Sequence, residues 1–347
     1  MANNNENKIL NVPNLRFPEF SGEWSSQPLT DFMNFKNGLN PDAKRFGRGT
    51  KFISVMDILN NQYICYDNIR ASVELQDGDI ETYGVDYGDI LFQRSSETLE
   101  DVGRANVYLD SKPAIFGGFV IRGKSKGNYN PLFFRYLLAS PTARKRIIVK
   151  GAGAQHFNIG QDGLSKVSLD IPRLSEQEKI GKLLQCVDAR IATQNKIIED
   201  LKKLKSAIIH RCYSSQTNMI PLSELLKQCS DRNRSGSDLQ VLSVSNKYGF
   251  IAQSNQFEDR EVASDDTSNY KVVKKGMFAY NPARINVGSI ALYEMDGNGI
   301  VSPMYVCFTT KSELLPSYLK YYFASQTFKH EMYKRLEGSV RLRSCAI

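Results

Sequence analysis

The sequence predicts an α+β fold: two tandem, related domains of mixed, mostly antiparallel β-structure with short helices, separated by a long coiled-coil-type helix. Three observations predict it. First, the chain repeats itself at an offset of about 185 residues. GDILFQR (Gly88 to Arg94) returns as GMFAYNPAR (Gly276 to Arg284), VGRANVYLD (Val102 to Asp110) as VGSIALYEMD (Val287 to Asp296), and NPLFFRYLLASPTARKRI (Asn130 to Ile147) as LPSYLKYYFASQTFKHEM (Leu315 to Met332). An offset of that length marks a doubled domain, because solenoid repeats run roughly 20–50 residues. Second, short apolar runs alternate with turn residues, the mark of strands in an irregular sheet. Third, a stretch between the copies holds no proline and a single glycine, Gly181, over LSEQEKIGKLLQCVDARIATQNKIIEDLKKLKSAIIHR.

The first domain is expected over residues 1–172. KFISVMDI (Lys51 to Ile58) and GDILFQ (Gly88 to Gln93) read as strands. AIFGGFVIRG (Ala114 to Gly123) reads as a further strand whose glycine pair marks a bulge or a close backbone approach. PLFFRYLLAS has apolar residues at helical spacing and a helix-starting Pro131, and ARKRIIVK carries a second short helix. A spacer helix is expected over 173–213. Ser175 can cap it, with Glu178 completing a capping box. Ile180, Leu184, Val187, Ile191, Gln194, Ile198, Leu201, Leu204 and Ile208 recur in steps of three and four, a heptad-like seam with one irregular step. At the helical rise such an element is roughly 54 Å long. So narrow and long a stripe predicts a partner helix, the alternative being a helix lying on its own domain. The second domain is expected over 214–347. It opens near Met219-Ile220-Pro221-Leu222, which matches Pro28-Leu29, and continues with strands at VLSVSN and YVCFTT. Pro172 carried forward by the repeat offset falls beyond the last residue, and RLRSCAI does not match the first copy's QHFNIGQDGL. The expectation is therefore an incomplete second copy without the last strand and the second long helix.

Composition excludes several classes of function. The 347 residues accommodate two domains of ordinary size, and 41% hydrophobic with 24% charged residues describes a globular chain. No apolar run approaches the ~18–20 residues of a membrane span, and MANNNENKIL lacks the apolar core of a signal peptide, which predicts a cytoplasmic protein. The six cysteines never form a CxxC pair and the three histidines have no second ligand at a metal-like spacing, so reduced thiols and no metal are expected. The net charge is +8, yet residues 1–172 hold 20 basic and 19 acidic residues. A polyanion partner there requires a segregated basic face. Arg144, Lys145, Arg146 and Lys150 form one basic cluster, and Arg122, Lys124 and Lys126 another; a solvated surface explains either as simply. There is no phosphate loop, and GAGA at 151–154 and GRG at 47–49 are too short to signify nucleotide binding. Asn281-Pro282-Ala283-Arg284 lacks the second proline and the aromatic of an amino-methyltransferase motif. Pro41-Asp42 and Asp110-Ser111-Lys112 hold the letters of a nuclease site about seventy residues apart, and no histidine stands beside a nucleophile. No catalytic constellation emerges.

Taken together, VPNLRFPEFSGEW (Val12 to Trp24), GDILFQRSS, DIPRLSEQEKIGKLL with its helix, GMFAYNPARINVGSIALY and IVSPMYVCF (Ile300 to Phe308) resemble the specificity subunit of type I restriction–modification enzymes over nearly the whole chain. The resemblance implies two target-recognition domains, each reading one half of a split site in double-stranded DNA, and makes the helix that family's conserved spacer. It further implies methyltransferase subunits carrying S-adenosylmethionine along the helices. Restriction subunits with ATP, Mg and the nuclease would join them, and this chain would bind none of these cofactors and catalyse nothing. The expected end within the second domain is where the chain departs from that pattern. Alternatives are a two-domain adaptor on a coiled-coil stalk and a silent, truncated specificity variant.

With that resemblance in view, loops after the matching strands are the candidate DNA-facing groups. They comprise Arg94, Ser95, Ser96 and Arg104 in the first copy and Arg284, Asn286 and Ser289 in the second. Arginine and asparagine can contact guanine and adenine edges in bidentate fashion, and serine can bond phosphates. The turn Gly151 to Asn158 adds Gln155, His156 and Asn158, with Gly338, Ser339, Arg341 and Arg343 as its counterpart; a plain helix-to-strand connection is the competing reading. The seam residues Ile180, Leu184, Val187, Ile191, Ile198, Leu201, Leu204 and Ile208 are the candidate subunit interface. Their partner would be a methyltransferase subunit or a second specificity chain.

Overall fold

The computed structural model describes residues 11–153, 155–214, 219–234, 238–253 and 266–335. They belong to two compact units that divide between Gln194 and Asn195. Among the described residues no helix is long and apolar enough to cross a membrane.

Unit 1 runs β1 (Ser25–Pro28), β2 (Met33–Asn37), β3 (Phe46–Ile53), α1 (Val55–Asn60), β4 (Ser72–Val73), α2 (Asp79–Tyr83), β5 (Gly84–Val85), β6 (Ile90–Gln93), β7 (Ser95–Ser96), β8 (Ala105–Val107), β9 (Ala114–Phe116) and β10 (Val120–Ser125). Then follow α3 (Pro131–Ala139), α4 (Pro141–Ile148), β11 (Phe157–Asn158), α5 (Gln161–Ser165), β12 (Ser168–Ile171) and the first part of α6 (Leu174–Ser214). One sheet has the order β2-β10-β6-β8 and is antiparallel throughout. Its inner face carries Met33, Ile90, Phe92 and Ile121, which pack against Phe133, Phe134, Leu138 and Ile147 of α3 and α4. The short helices form where local chemistry starts them. Asn130 caps α3 by accepting the Phe133 N–H at 2.9 Å, Ser140 caps α4 at Ala143, and a proline opens each first turn. A second sheet has the order β4-β3-β9-β5, antiparallel apart from the parallel β3·β9 ladder.

Unit 2 holds the rest of α6, α7 (Leu222–Leu225), β13 (Leu226–Cys229), β14 (Gln240–Ser245), β15 (Gly249–Ala252), β16 (Lys271–Val273), β17 (Phe278–Tyr280), β18 (Ile290–Leu292), β19 (Gly299–Val301), β20 (Val306–Thr310), α8 (Pro316–Phe323) and α9 (Gln326–Lys334). Its sheets have the orders β13-β20-β17-β18 and β15-β14-β19-β16. The first is antiparallel, and in the second only β14·β19 is parallel. Strand for strand this is unit 1 again, down to the single parallel ladder, so the sequence repeat is a repeat of topology. Phe278, Tyr280 and Phe308 meet Leu319, Phe323 and Phe328 of α8 and α9, as β6 and β10 meet α3 and α4. Unit 1 has two further ribbons, β1·β12 and β7·β11, without a counterpart among the described residues of unit 2.

Several local expectations change. KFISVMDI is a strand only to Ile53, because Ser54 and Asp57 form a capping box that starts α1. AIFGGFVIRG is two strands in two sheets, and the close approach belongs to the turn between them. A Cβ on Gly117 would lie 2.6 Å from the Phe52 ring, and one on Gly118 would fall on the Asn40 amide. The spacer helix is longer than its seam, at 41 residues, and starts at Leu174. Ser175 therefore sits inside the first turn instead of capping it. Glu176 anchors the start: buried, it accepts from Arg16 Nε at 2.8 Å, Arg16 Nη2 at 2.7 Å and Trp24 Nε1 at 3.3 Å. Asp188 takes the Tyr136 hydroxyl at 2.8 Å and the Gln62 amide at 3.1 Å. Gly181 is where the backbones come close, since a Cβ there would lie 2.9 Å from Asn130 Oδ1 and 3.1 Å from the Phe133 nitrogen. At the far end, within unit 2, the Tyr213 hydroxyl donates to the Tyr318 carbonyl at 2.8 Å, and Thr327 Oγ1 donates to the Tyr213 carbonyl at 2.8 Å.

Candidate nucleic-acid interface

In unit 1 the sequence proposed two separate loops, and the fold makes them one ribbon. β7 pairs antiparallel with β11, setting Ser95 opposite Asn158 and Ser96 opposite Phe157. Ser95 Oγ hydrogen-bonds Asn158 Oδ1, and the Gln93 amide donates to the Ser95 carbonyl at 2.9 Å. Asn158 also closes its own turn through a reciprocal backbone pair with Ala152, at 2.8 and 2.9 Å. Gly153 carries that turn at φ 142°, where a Cβ would strike the His156 carbonyl. Gln155 and His156 stand exposed on it. Arg94 lies where β6 ends. Its N–H donates to the Phe119 carbonyl at 2.9 Å and its Nη1 to the Gly118 carbonyl at 3.3 Å. Ser96 Oγ accepts from the Thr98 N–H at 3.3 Å. Arg104 closes the connecting turn by an ion pair to Asp101 at 2.6 Å and keeps an exposed side chain.

In unit 2 Asn281 follows β17 as Arg94 follows β6. Its Oδ1 accepts the Ala283 N–H at 3.0 Å, starting the 3-10 turn Pro282–Val287 that ends at Gly288 with φ 87°. The Asn-Pro step is thus a turn cap. Arg284 is exposed on this turn, while the Asn286 carbonyl accepts the Tyr333 hydroxyl at 3.3 Å. Ser289 departs from the expected exposed group: it is 3% exposed and its hydroxyl donates to the Val244 carbonyl at 2.9 Å, which ties the turn ahead of β18 to β14. Gly338, Ser339, Arg341 and Arg343 lie outside the described residues.

The basic clusters are not uniformly solvated. Arg122 is buried over the Phe116 ring at 5.3 Å, its guanidinium donates to the Gly84 carbonyl, and burial lowers its pKa. Arg144 donates to the Glu100 and Val102 carbonyls at 2.9 and 2.6 Å. Arg146 pairs with Asp170 at 2.7 Å. The letters resembling a nuclease have structural employment as well, since Asp110 accepts the N–H groups of Tyr66 and Lys112, each at 3.0 Å.

Sequence reasoning passed over the apolar neighbours of the polar groups. Beside Arg94 a cleft of about 440 Å³ is lined by Asn40, Phe46, Met56, Ser95, Gly118 and Phe119. In unit 2, Met304 and Tyr248 are exposed, with Lys247 over the Tyr248 ring at 4.9 Å. Phe119 sat inside what read as one strand, which hid its position at a turn.

The candidate interface seam on α6 divides. Ile180 and Leu184 are half-buried, with Ile180 packed on the unit 1 core, so these two are not part of a bare stripe. Val187, Ile191, Ile198, Leu201, Leu204 and Ile208 are exposed, as are Leu183 and Ile197 beside them.

Residues 21–203 match the family described as type I restriction modification DNA specificity domain, which is more than half of the chain. The chain belongs to this family. The specificity-domain match takes in unit 1 from just ahead of β1 and continues into α6. A relative in Methanocaldococcus jannaschii, named as the specificity subunit of the type I restriction enzyme MjaX, is 25% identical over 212 residues, 60% of this chain and 49% of the relative. The chain thus spans about half the length of the curated relative that it matches. Among solved structures, the S subunit of a type I restriction–modification system from M. genitalium aligns with a TM-score of 0.52 at 15% identity, covering 92% of this chain and 83% of that one. A structure described as the basis of complex assembly and conformational transition of the type I system aligns equally well, at 12% identity over 96% and 84%. At such identities these alignments speak for the fold alone: mixed α+β, with antiparallel sheets and a long helix.

Proposed function

We propose that the chain is the non-catalytic DNA-recognition subunit of a type I restriction–modification complex. Each unit reads one half of a bipartite duplex site. α6 docks methyltransferase subunits, which carry S-adenosylmethionine for adenine methylation, and restriction subunits with their ATP and magnesium chemistry join that assembly. The observation that supports this reading most is the repeated topology with polar groups at the same station. Arg94 and the β7·β11 ribbon follow β6, and Asn281 and Arg284 follow β17. Two related readers in one chain suit a target in two parts. Sequencing methylated adenines in a host with and without this gene, methyltransferase subunits present in both, tests it. A two-part methylated sequence that appears only with the gene is expected. An unchanged methylation pattern overturns the reading and leaves a silent variant or an adaptor.

The exposed apolar stripe from Val187 to Ile208 supports a helix as the partner of α6. Burying such side chains gains ~1.5–3 kcal/mol each when burial is complete, and soluble monomers seldom leave a large contiguous stripe in water. A second specificity chain, laid antiparallel, supplies a matching stripe. Sedimentation of the isolated chain is expected to show a dimer that Ile198→Asp with Leu201→Asp dissociates. A stable, soluble monomer of the unmodified chain excludes this pairing.

A further inference from the structure

The turn between β9 and β10 holds an aromatic ring in water on a rigid stem. Phe119 is 68% exposed. Its carbonyl accepts the Arg94 N–H at 2.9 Å, the Gly117 N–H donates to the Ile53 carbonyl at 3.0 Å, and the Val120 N–H donates to the Gly117 carbonyl at 2.8 Å. Behind it Gly117 and Gly118 approach the Phe52 ring and the Asn40 side chain so closely that a Cβ on either would make those side chains shift. The stem is therefore fixed while the ring is free. Phe46 lines the same cleft, and on the segment around it Lys44 is exposed while Arg48 pairs with Glu74 at 2.7 Å. A rigidly held apolar projection of this kind is complementary to the apolar interior that a base stack presents inside a phosphate backbone.

A single exposed phenylalanine needs no explanation. Its recurrence does. β20 is the counterpart of β10, and just ahead of it Met304 is 62% exposed, with Asn281 Nδ2 3.8 Å from its sulfur. In both units the polar residue that closes the β6-type strand touches the segment presenting an exposed apolar side chain ahead of the β10-type strand. In the register of the two sheets the segments share no sequence there, GFVI against PMYV, so the likeness lies in position and exposure.

We infer that Phe119 and Met304 are wedges that enter the base stack, each unstacking one step of its own half-site. This rests on the reading of the chain as a DNA-recognition subunit and adds a component of recognition that needs no hydrogen bond to a base. Pyrimidine–purine steps unstack most easily, so each half-site should contain one at the wedge, beside the position read by Arg94 or Arg284. The adjacent polar groups would set the register, and the wedge would select for deformability.

The test uses the full chain and a pool of random-sequence duplex DNA. Bound duplexes are selected and sequenced, and 2-aminopurine is then placed at the enriched step. The unmodified chain is expected to enrich a pyrimidine–purine step in each half and to raise 2-aminopurine fluorescence several-fold on binding. Phe119→Ala should abolish that rise and the step preference in one half only, weakening binding roughly tenfold, about 1.4 kcal/mol. Met304→Ala should do so in the other half, and Phe119→Leu should retain both signals. Enrichment of the same steps with the same fluorescence by both alanine variants overturns the wedge while leaving DNA recognition standing. Failure of the unmodified chain to enrich any sequence overturns the recognition reading and the wedge with it. Circular dichroism of the variants separates either result from misfolding.

Discussion

Ser289 and Arg284 lie five residues apart on one turn and have opposite employment. Ser289 spends its hydroxyl on the Val244 carbonyl, whereas Arg284 is exposed. Ser289→Ala is expected to cost ~1 kcal/mol of stability and leave target choice unchanged. Arg284→Ala should leave the melting temperature nearly unchanged and relax one base position by ~1–3 kcal/mol. Thermal melts beside a duplex selection compare the two, and a shift in target choice by Ser289→Ala would contradict the assignment. Asp89 offers a pH probe of the unit 1 interior. Burial pushes its pKa above the usual 3.8, against the backbone donors Asp86 and Ser125, at 3.0 and 2.8 Å, which pull it down. Because the folded value exceeds the unfolded one, the stabilisation linked to this proton is complete below about 3.8 and fades as pH climbs through the folded value. Asp89→Asn removes that dependence. Urea midpoints of the two proteins should therefore diverge only across that window, with the wild type losing ground as pH rises. A constant difference throughout would mean that Asp89 does not titrate there. At this scale the sequence marked Arg94 and Arg284 as candidates because they follow apolar strands. It misjudged Ser289, since a serine in a polar turn gives no sign of whether its hydroxyl bonds inward.

Among the elements, α6 shows what periodicity can and cannot reveal. Spacings of three and four gave its existence and its stripe. They could not tell that Ile180 and Leu184 pack on unit 1, because a seam reads alike whether covered by its own domain or by a partner. Gly181 was visible as the lone glycine, but its reason is the backbone of α3. Gly181→Ala gains ~1 kcal/mol of helix propensity, yet its methyl meets a capping oxygen already bonded to Phe133 and a backbone nitrogen, and overpacking of this kind costs ~1–3 kcal/mol. A net lowering of the unit 1 melting temperature is expected; an increase would show that the start of α6 can slide away from α3. KFISVMDI and AIFGGFVIRG misled for a different reason. Both are apolar runs in which one residue class serves two elements, and the break falls at Ser54 in one and at Gly117-Gly118 in the other. A cap and a glycine pair are the only local signals of such a break, and the strand pattern around them is stronger.

For the molecule as a whole, duplication was the most legible property. Side chains that fill equivalent sheets recur at a near-constant offset even where the polar loops have diverged, because packing constrains a strand more than solvent constrains a turn. The two four-stranded sheets of each unit, each pair with one parallel ladder, bear that out. The β1·β12 and β7·β11 ribbons were not legible. β7 and β11 have two residues each and β1 and β12 four, too few to establish a period, and the partners lie more than sixty residues away in sequence.

The exposed run from Ala189 to Ile208 has a consequence for the lifetime of the chain. Most helical stability comes from tertiary packing, and this stretch is exposed on every residue between the anchored ends of α6. Lys196, Lys202, Lys203 and Lys205 stand along it. Until another helix covers this stretch, transient fraying offers a protease its substrate while the flanking units stay folded. Trypsin is expected to cut the free chain first among these lysines, yielding two resistant fragments, and a bound partner should slow that cleavage several-fold by suppressing fraying. First cleavage elsewhere would contradict this. On the proposed reading, survival of the chain would report on assembly: molecules with a partner on this helix would persist, those without would be cleared, and the amount of the chain would adjust to the number of complexes that can be built.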